Sequence, residues 1–280
     1  MLLRWYGWLG VVLIILSELN FHFRIEPFAN WYLPIVWLGY ILFVDSVVFR
    51  IKGSSLISRY PKEIAFIAII SVPFWLIFEA YNAFTFTWFY VNYTWQIHLV
   101  DFATILPALM ETFSLVSTLG IAKSIDSARK AAKRITAERE RLYTGVVAIL
   151  VIAGAVVAFS PFFYPALGFE AMFVGIFLFL DPLNYLAGRP SVVKVVAKGR
   201  KSIIIQLFLT GIIMGFFWEC WNFQALPQWI YNLPSYTGPK LFEMPLFGYF
   251  GYLPFAMEAF VFVALLRSFF FRGKNELISM

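Results

Sequence analysis

The sequence predicts an all-α fold, a polytopic membrane bundle of eight transmembrane helices, and three observations predict it. Hydrophobic residues make up 61% of the chain and charged residues 14%, against about 25% charged in soluble domains. Apolar runs of ~18 residues or more, the length that crosses hydrocarbon, recur from end to end. The basic residues fall almost entirely into every second connection between those runs. The runs do not alternate apolar with polar residues, as the strands of a membrane barrel would.

In order, the spans are expected at 3–21, 28–49, 64–88, 99–122, 144–163, 166–187, 202–225 and 246–267. The first run follows Arg4 and lacks a small-residue cleavage site, so it reads as a retained helix. Arg50, Lys52, Arg59 and Lys62 follow span two, and Lys123, Arg129, Lys130, Lys133, Arg134, Arg139 and Arg141 follow span four. Arg189, Lys194, Lys198, Arg200 and Lys201 follow span six, and Arg267, Arg272 and Lys274 follow span eight. With Arg4, 20 of the 22 basic residues lie on one side, leaving Arg24 and Lys240 on the other. The rich side is expected to be cytoplasmic, with both termini there. Nothing resembles an organellar targeting segment, and the expected location is the plasma membrane of a prokaryote. This placement accounts for the net charge of +6, so no nucleic-acid partner is expected. A single cysteine, Cys220, and two histidines, His22 and His98, leave no basis for a disulfide, a metal site or another cofactor. The oligomeric state is not readable.

The chain carries an internal duplication. Phe74-Trp75-Leu76-Ile77-Phe78-Glu79-Ala80-Tyr81-Asn82 is matched by Phe216-Phe217-Trp218-Glu219-Cys220-Trp221-Asn222. Gly39 stands six residues before Asp45, and Gly175 six before Asp181. Trp88-Phe89-Tyr90 is matched by Trp229-Ile230-Tyr231, and Pro107 with Glu111 by Pro254 with Glu258. Ordered self-similarity of this kind marks a repeat. The domains follow as 1–122, a first four-helix repeat; 123–143, a basic linker helix rich in good helix formers; and 144–280, a second four-helix repeat. An even number of helices per repeat makes the two parallel, related by a pseudo-two-fold axis along the membrane normal.

The polar residues inside the apolar runs are the candidates for function. In each copy of the opening motif the glutamate and asparagine are three residues apart and share a helix face. At 1.5 Å per residue, Glu79 lies roughly 22 Å and Glu111 roughly 18 Å into their spans. Glu219 and Glu258 lie similarly. Intramembrane carboxyls are costly and usually mark a functional interior, although polar side chains also join helices. Pro107 and Pro254 would free the carbonyls of Ala103 and Phe250. Asp45 and Asp181 suit ion pairs with Arg50 and Arg189, or water-facing caps. Trp88, Tyr90, Tyr93 and Trp95, with Trp229, Tyr231 and Tyr236, suit an interfacial aromatic belt. The segment 226–245 suits a lid. Trp75, Phe78, Trp218 and Trp221, close to the glutamates, are placed to stabilise a cation through their ring faces. A carboxylic acid kept protonated by an apolar site is a proton donor.

An intramembrane acid, then Trp-x-Tyr, then proline shortly before glutamate and phenylalanine, twice over, resembles the membrane-integral lycopene cyclase family. Trp218-Glu219 is also similar to the Trp-Glu pair of the fungal transmembrane terpene cyclases. The resemblance implies metal-free protonation of a polyene or an epoxide, with the acid role falling to Glu79, Glu219, Glu111 and Glu258. Those cyclases carry proline followed by paired acids, whereas Glu111 and Glu258 stand alone, four residues after their prolines. Substrate contacts are expected from Asn82, Asn222, Trp75, Trp218, Trp221, Phe78, Trp88, Tyr90, Trp229 and Tyr231. The expected function is cyclisation or isomerisation of a hydrophobic isoprenoid, carotenoid or terpenoid, inside the membrane. The expected partner is that substrate or a membrane lipid. The same carboxyls also fit a proton-coupled transporter or a non-catalytic lipid-binding protein.

Overall fold

Eight helices in the computed structural model are long and apolar enough to cross a membrane, which marks the chain as an integral membrane protein. The structure describes residues 2–126, 137–197, 199–233 and 238–271. The helices are α1 (Trp5–Phe23), α2 (Tyr32–Lys52), the short α3 (Leu56–Arg59), α4 (Pro61–Thr85), α5 (Trp95–Thr118), α6 (Ala137–Phe159), α7 (Gly168–Leu186), the short α8 (Val192–Ala197), α9 (Ser202–Gln224) and α10 (Tyr252–Phe270). Most of the expected linker helix, 127–136, lies outside the described residues. On its flanks, Lys123–Ile125 is a 3₁₀ turn and α6 begins at Ala137.

The packing has one pattern in both halves. α1 packs on α2 and α6 on α7; α2 packs on α5 and α7 on α10; α4 packs on α5 and α9 on α10. The glycines six residues before Asp45 and Asp181 lie at the first of these crossings. A Cβ on Gly39 would stand 2.9 Å from the Gly10 carbonyl oxygen, and one on Gly175 would stand 2.4 Å from the Ala158 nitrogen. Small residues let helix backbones approach this closely where lipid supplies no hydrophobic drive.

The two aspartates are buried caps, not partners of arginine. Asp45 accepts from Tyr6 (2.6 Å), the Ser55 hydroxyl (2.8 Å) and the Ile57 N–H (2.8 Å) at the start of α3. Asp181 accepts from the N–H groups of Val192 (2.6 Å) and Val193 (3.0 Å) at the start of α8. Each satisfies donors that a helix start leaves without intrahelical partners. Arg189 instead stacks on Phe269 at 3.8 Å.

At the same end, Arg267 of α10 donates twice to Glu63 of α4, at 2.5 and 3.0 Å, and the arginine is only 3% exposed. Removing one partner of a buried ion pair strands the other charge. Arg267→Ala is therefore expected to destabilise the protein by about 3–5 kcal/mol, read as a lowered thermal midpoint in detergent.

The opposite end departs from the expected pattern. The third span does not run to 88. α4 stops at Thr85, followed by Phe86 in the left-handed region (φ 51°). Trp88–Val91 then forms a strand, β1, and Gln228–Tyr231 forms β2. They pair antiparallel, Trp88 opposite Tyr231 and Tyr90 opposite Trp229. A second small hairpin, β3 (Lys240–Leu241) with β4 (Met244–Pro245), leads into a 3₁₀ segment, Leu246–Gly251. The last α-helix thus starts at Tyr252, and Pro254 sits in its first turn, where proline is tolerated. The Phe250 carbonyl is taken by the Tyr252 N–H, so it is not a freed acceptor. Pro107 does lie inside α5.

Candidate functional site

Beneath the β1–β2 ribbon lies a small cavity lined almost wholly by aromatic side chains. α4 contributes Trp75 and Phe78, α9 Trp218, α7 Phe169 and Phe173, and α10 Tyr252 and Phe255. The ribbon adds Trp88, Tyr90, Trp229 and Tyr231. Side chains alternate across a strand, so the two Trp-x-Tyr triplets turn both polar-tipped rings inward. The middle residue Phe89 faces out, 51% exposed. These four aromatics therefore roof a cavity, not an interfacial belt. Trp95 is 68% exposed and takes no part in the roof. Met244, Gly248 and Gly251 line the remaining side. Of the expected lid segment, β4 covers the cavity, while 234–237 lie outside the described residues.

The carboxyls stand one hydrogen bond behind this wall. Glu79 Oε1 accepts from three wall residues: Tyr90 OH (2.5 Å), Trp75 Nε1 (2.9 Å) and Trp88 Nε1 (3.3 Å). Glu219 Oε1 accepts from Tyr231 OH (2.7 Å) and from Tyr252 OH. Glu219 is fully buried, and its Oε2 has no hydrogen-bond partner. Glu79 is only partly buried. In the ribbon, burial first and the adjacent glutamate second raise the phenols of Tyr90 and Tyr231 well above the usual tyrosine range. Both therefore act as donors at neutral pH.

A substitution distinguishes the two glutamate sites. Four residues before Glu79 stands Trp75, whose indole donates to it. Four before Glu219 stands Gly215. The space is filled from α10: a Cβ on Gly215 would lie 2.4 Å from Tyr252 Cδ2. The donor lost from the helix is thus replaced by the Tyr252 hydroxyl. Trp229 Nε1, unlike Trp88 Nε1, donates to a neighbouring phenol, Tyr231 OH (2.9 Å).

The two asparagines hold the roof. Asn222 donates to the Trp229 carbonyl (2.8 Å) and accepts its N–H (2.8 Å). Asn82 does the same for Trp88, at 2.9 and 3.1 Å. A two-stranded ribbon has open backbone edges, and each asparagine closes one of them. Neither lines the cavity, so the expected substrate contacts by Asn82 and Asn222 are replaced by a positioning role. Asn222→Ala leaves an N–H and a carbonyl unpaired, each costing about 1–3 kcal/mol. It is expected to lower the thermal midpoint and release the Trp229 ring, read as a change in tryptophan fluorescence.

Trp221 also turns away from the cavity. Its indole donates to Glu18 of α1 (3.0 Å), whose Oε1 lies 3.4 Å from the Tyr32 hydroxyl oxygen. Tyr32 is donor in turn to Gln224 (2.5 Å). Glu111 and Glu258 are fully buried, their four oxygens make no hydrogen bond within distance limits among the described residues, and neither lines the cavity. So the cavity gathers Trp75, Phe78, Trp88, Tyr90, Trp218, Trp229 and Tyr231 around Glu79 and Glu219, and leaves Trp221, Glu111 and Glu258 outside its wall. The sequence reading missed Tyr252, Phe255, Phe173 and Glu18. Glu18 was detectable as an acid within an apolar run. The others carry no local mark. Compared with family models, curated proteins and solved structures, the chain has no match.

Proposed function

We propose that the chain is a membrane enzyme that protonates a hydrophobic isoprenoid, carotenoid or terpenoid, and cyclises or isomerises it in the aromatic cavity. The observation that carries this reading is the pairing of an apolar, ring-lined cavity with a carboxyl one hydrogen bond behind the wall on each side. Glu219 is the acid. Its Oε1 is held by Tyr231 and Tyr252, which leaves Oε2 for the proton. The proton reaches the cavity through the Tyr231 hydroxyl, which lines the cavity, gives its proton to a terminal double bond and is re-protonated by Glu219; the new C–H bond leaves a carbocation, which the faces of Trp75, Trp218 and Trp229 stabilise. Glu79, with three donors on one oxygen, is the anionic partner that steadies the cation and takes a proton from the adjacent carbon. One proton enters and one leaves, so the product is an isomer of the substrate. Glu111 and Glu258 take no part in the transfer.

The site lies between two parallel four-helix repeats in this reading, on a pseudo-two-fold axis along the membrane normal. Support comes from the ribbon register, which exchanges Trp88 with Trp229 and Tyr90 with Tyr231. The paired asparagine clamps and aspartate caps add to it. The distribution of basic residues supports a cytoplasmic location for the termini and for the α3 and α8 end in this reading. The apolar lining favours a closed reaction cavity over an aqueous transport path.

The test is incubation of purified protein in nanodiscs with linear isoprenoids in D₂O. The expected product has the substrate's elemental composition with one hydrogen replaced by deuterium, and altered retention. Recovery of every isoprenoid unchanged would overturn the reading.

A further inference from the structure

We propose a phosphate-binding site at the opposite end of the bundle, between the C-terminal ends of α2 and α5. An open pocket there is lined by Ile51, Lys52, Ser117, Thr118 and Lys123. Two ammonium groups and two hydroxyl-bearing side chains around one space are donors suited to a phosphate group. Lysine acts at such sites as a point charge with rotatable donors.

Two further observations point to an anion. The charged neighbours of Lys52 are Lys123 and Arg59, all of one sign. Every acidic side chain described at this end is engaged elsewhere. Asp45 holds Tyr6, Ser55 and Ile57; Asp181 holds Val192 and Val193; Glu63 holds Arg267; and Asp126 holds the Ser202 N–H and hydroxyl, each at 2.8 Å. Lys52 and Lys123 therefore have no ion-pair partner among the described residues.

Helix C-termini carry partial negative charge, and three carbonyls at these two ends are already bonded by backbone N–H groups. The Gly53 N–H caps Phe49, and the N–H groups of Leu119 and Gly120 cap Leu115 and Ser117. Neither the Lys52 nor the Lys123 ammonium bonds a helix-end carbonyl among the described residues. In the second half, by contrast, the Lys194 ammonium is donated to the Gly188 carbonyl (2.8 Å).

The ligand is a phosphate group, carried either by an anionic lipid or by a soluble diphosphate. The experiment uses delipidated full-length protein in detergent and follows its thermal midpoint during titration with inorganic diphosphate and, separately, short-chain phosphatidylglycerol. Saturable stabilisation by at least one is expected, weakened about fivefold for each lysine removed in Lys52→Gln and Lys123→Gln. A response to diphosphate assigns a soluble ligand; a response to phosphatidylglycerol alone assigns a headgroup. Both side chains are exposed, and unliganded midpoints equal to wild type verify folding. No saturable response, or an equal one in the double variant, overturns the site. This inference stands apart from the chemistry of the aromatic cavity.

Discussion

Glu219→Gln is expected to lower product formation by about 10²–10⁴-fold, the range that one positioned general acid supplies, while the bundle stays folded. Glutamine keeps the shape of the side chain, and its carbonyl can still accept from Tyr231 and Tyr252. The amide nitrogen takes the place of Oε2, a position with no partner to lose. What disappears is the acidic proton. Glu79→Gln also removes a carboxyl, but one whose single oxygen collects three donors. It is expected to slow release of the proton from the cation and shift the products toward water-quenched alcohols. Kinetics and product analysis of both variants check this. Identical product spectra and equal losses would show that the two carboxyls do not have separate roles.

Gly215→Leu is expected to give the second large effect, on folding and activity together. Even a Cβ at this position stands 2.4 and 2.6 Å from Tyr252 Cδ2 and Cγ, and at Gly211, one turn earlier, 2.1 Å from the Tyr252 carbonyl oxygen. The α9–α10 crossing is therefore in backbone contact with the tyrosine. Overpacking there should cost about 1–3 kcal/mol and displace the ring that donates to Glu219. Tyr252→Phe separates the two consequences, because it keeps the ring and removes only the hydroxyl. It should leave the thermal midpoint close to wild type and still reduce turnover. If Gly215→Leu melts and turns over as wild type does, the crossing is not the constraint described.

Much of the bundle was legible because its signals are long and redundant. Runs of ~20 apolar residues announce spans, and alternating basic connections keep their count in register. Glu79 and Glu219 were legible because each interrupts hydrocarbon with a charge, twice. The roof was not. Trp88–Val91 follows α4 without a glycine or proline to mark the break, and its strand partner lies some 140 residues away in sequence. Without that pairing the two Trp-x-Tyr triplets read as a belt. Aspartates 45 and 181 were seen, but their roles depend on the chain turning back to start α3 and α8. A serine ten residues after each, Ser55 and Ser191, was the available sign. The placement of Trp221 follows from helix geometry. Two residues correspond to about 200° of rotation at 3.6 residues per turn, so it points away from Glu219 and toward Glu18. Tyr252 could not be found from its neighbours, because its role comes from the space vacated by Gly215 on another helix.

The central claim is that an acid behind the aromatic wall acts on a hydrocarbon chain within it. Its most direct test is mass spectrometry of lipophilic extracts from cells that make wild-type protein or Glu219→Gln, supplied with a panel of linear isoprenoids. The account predicts a species of unchanged mass and altered retention with wild type and its absence with the variant. The same profile from both, with both proteins folded in the membrane, would contradict it.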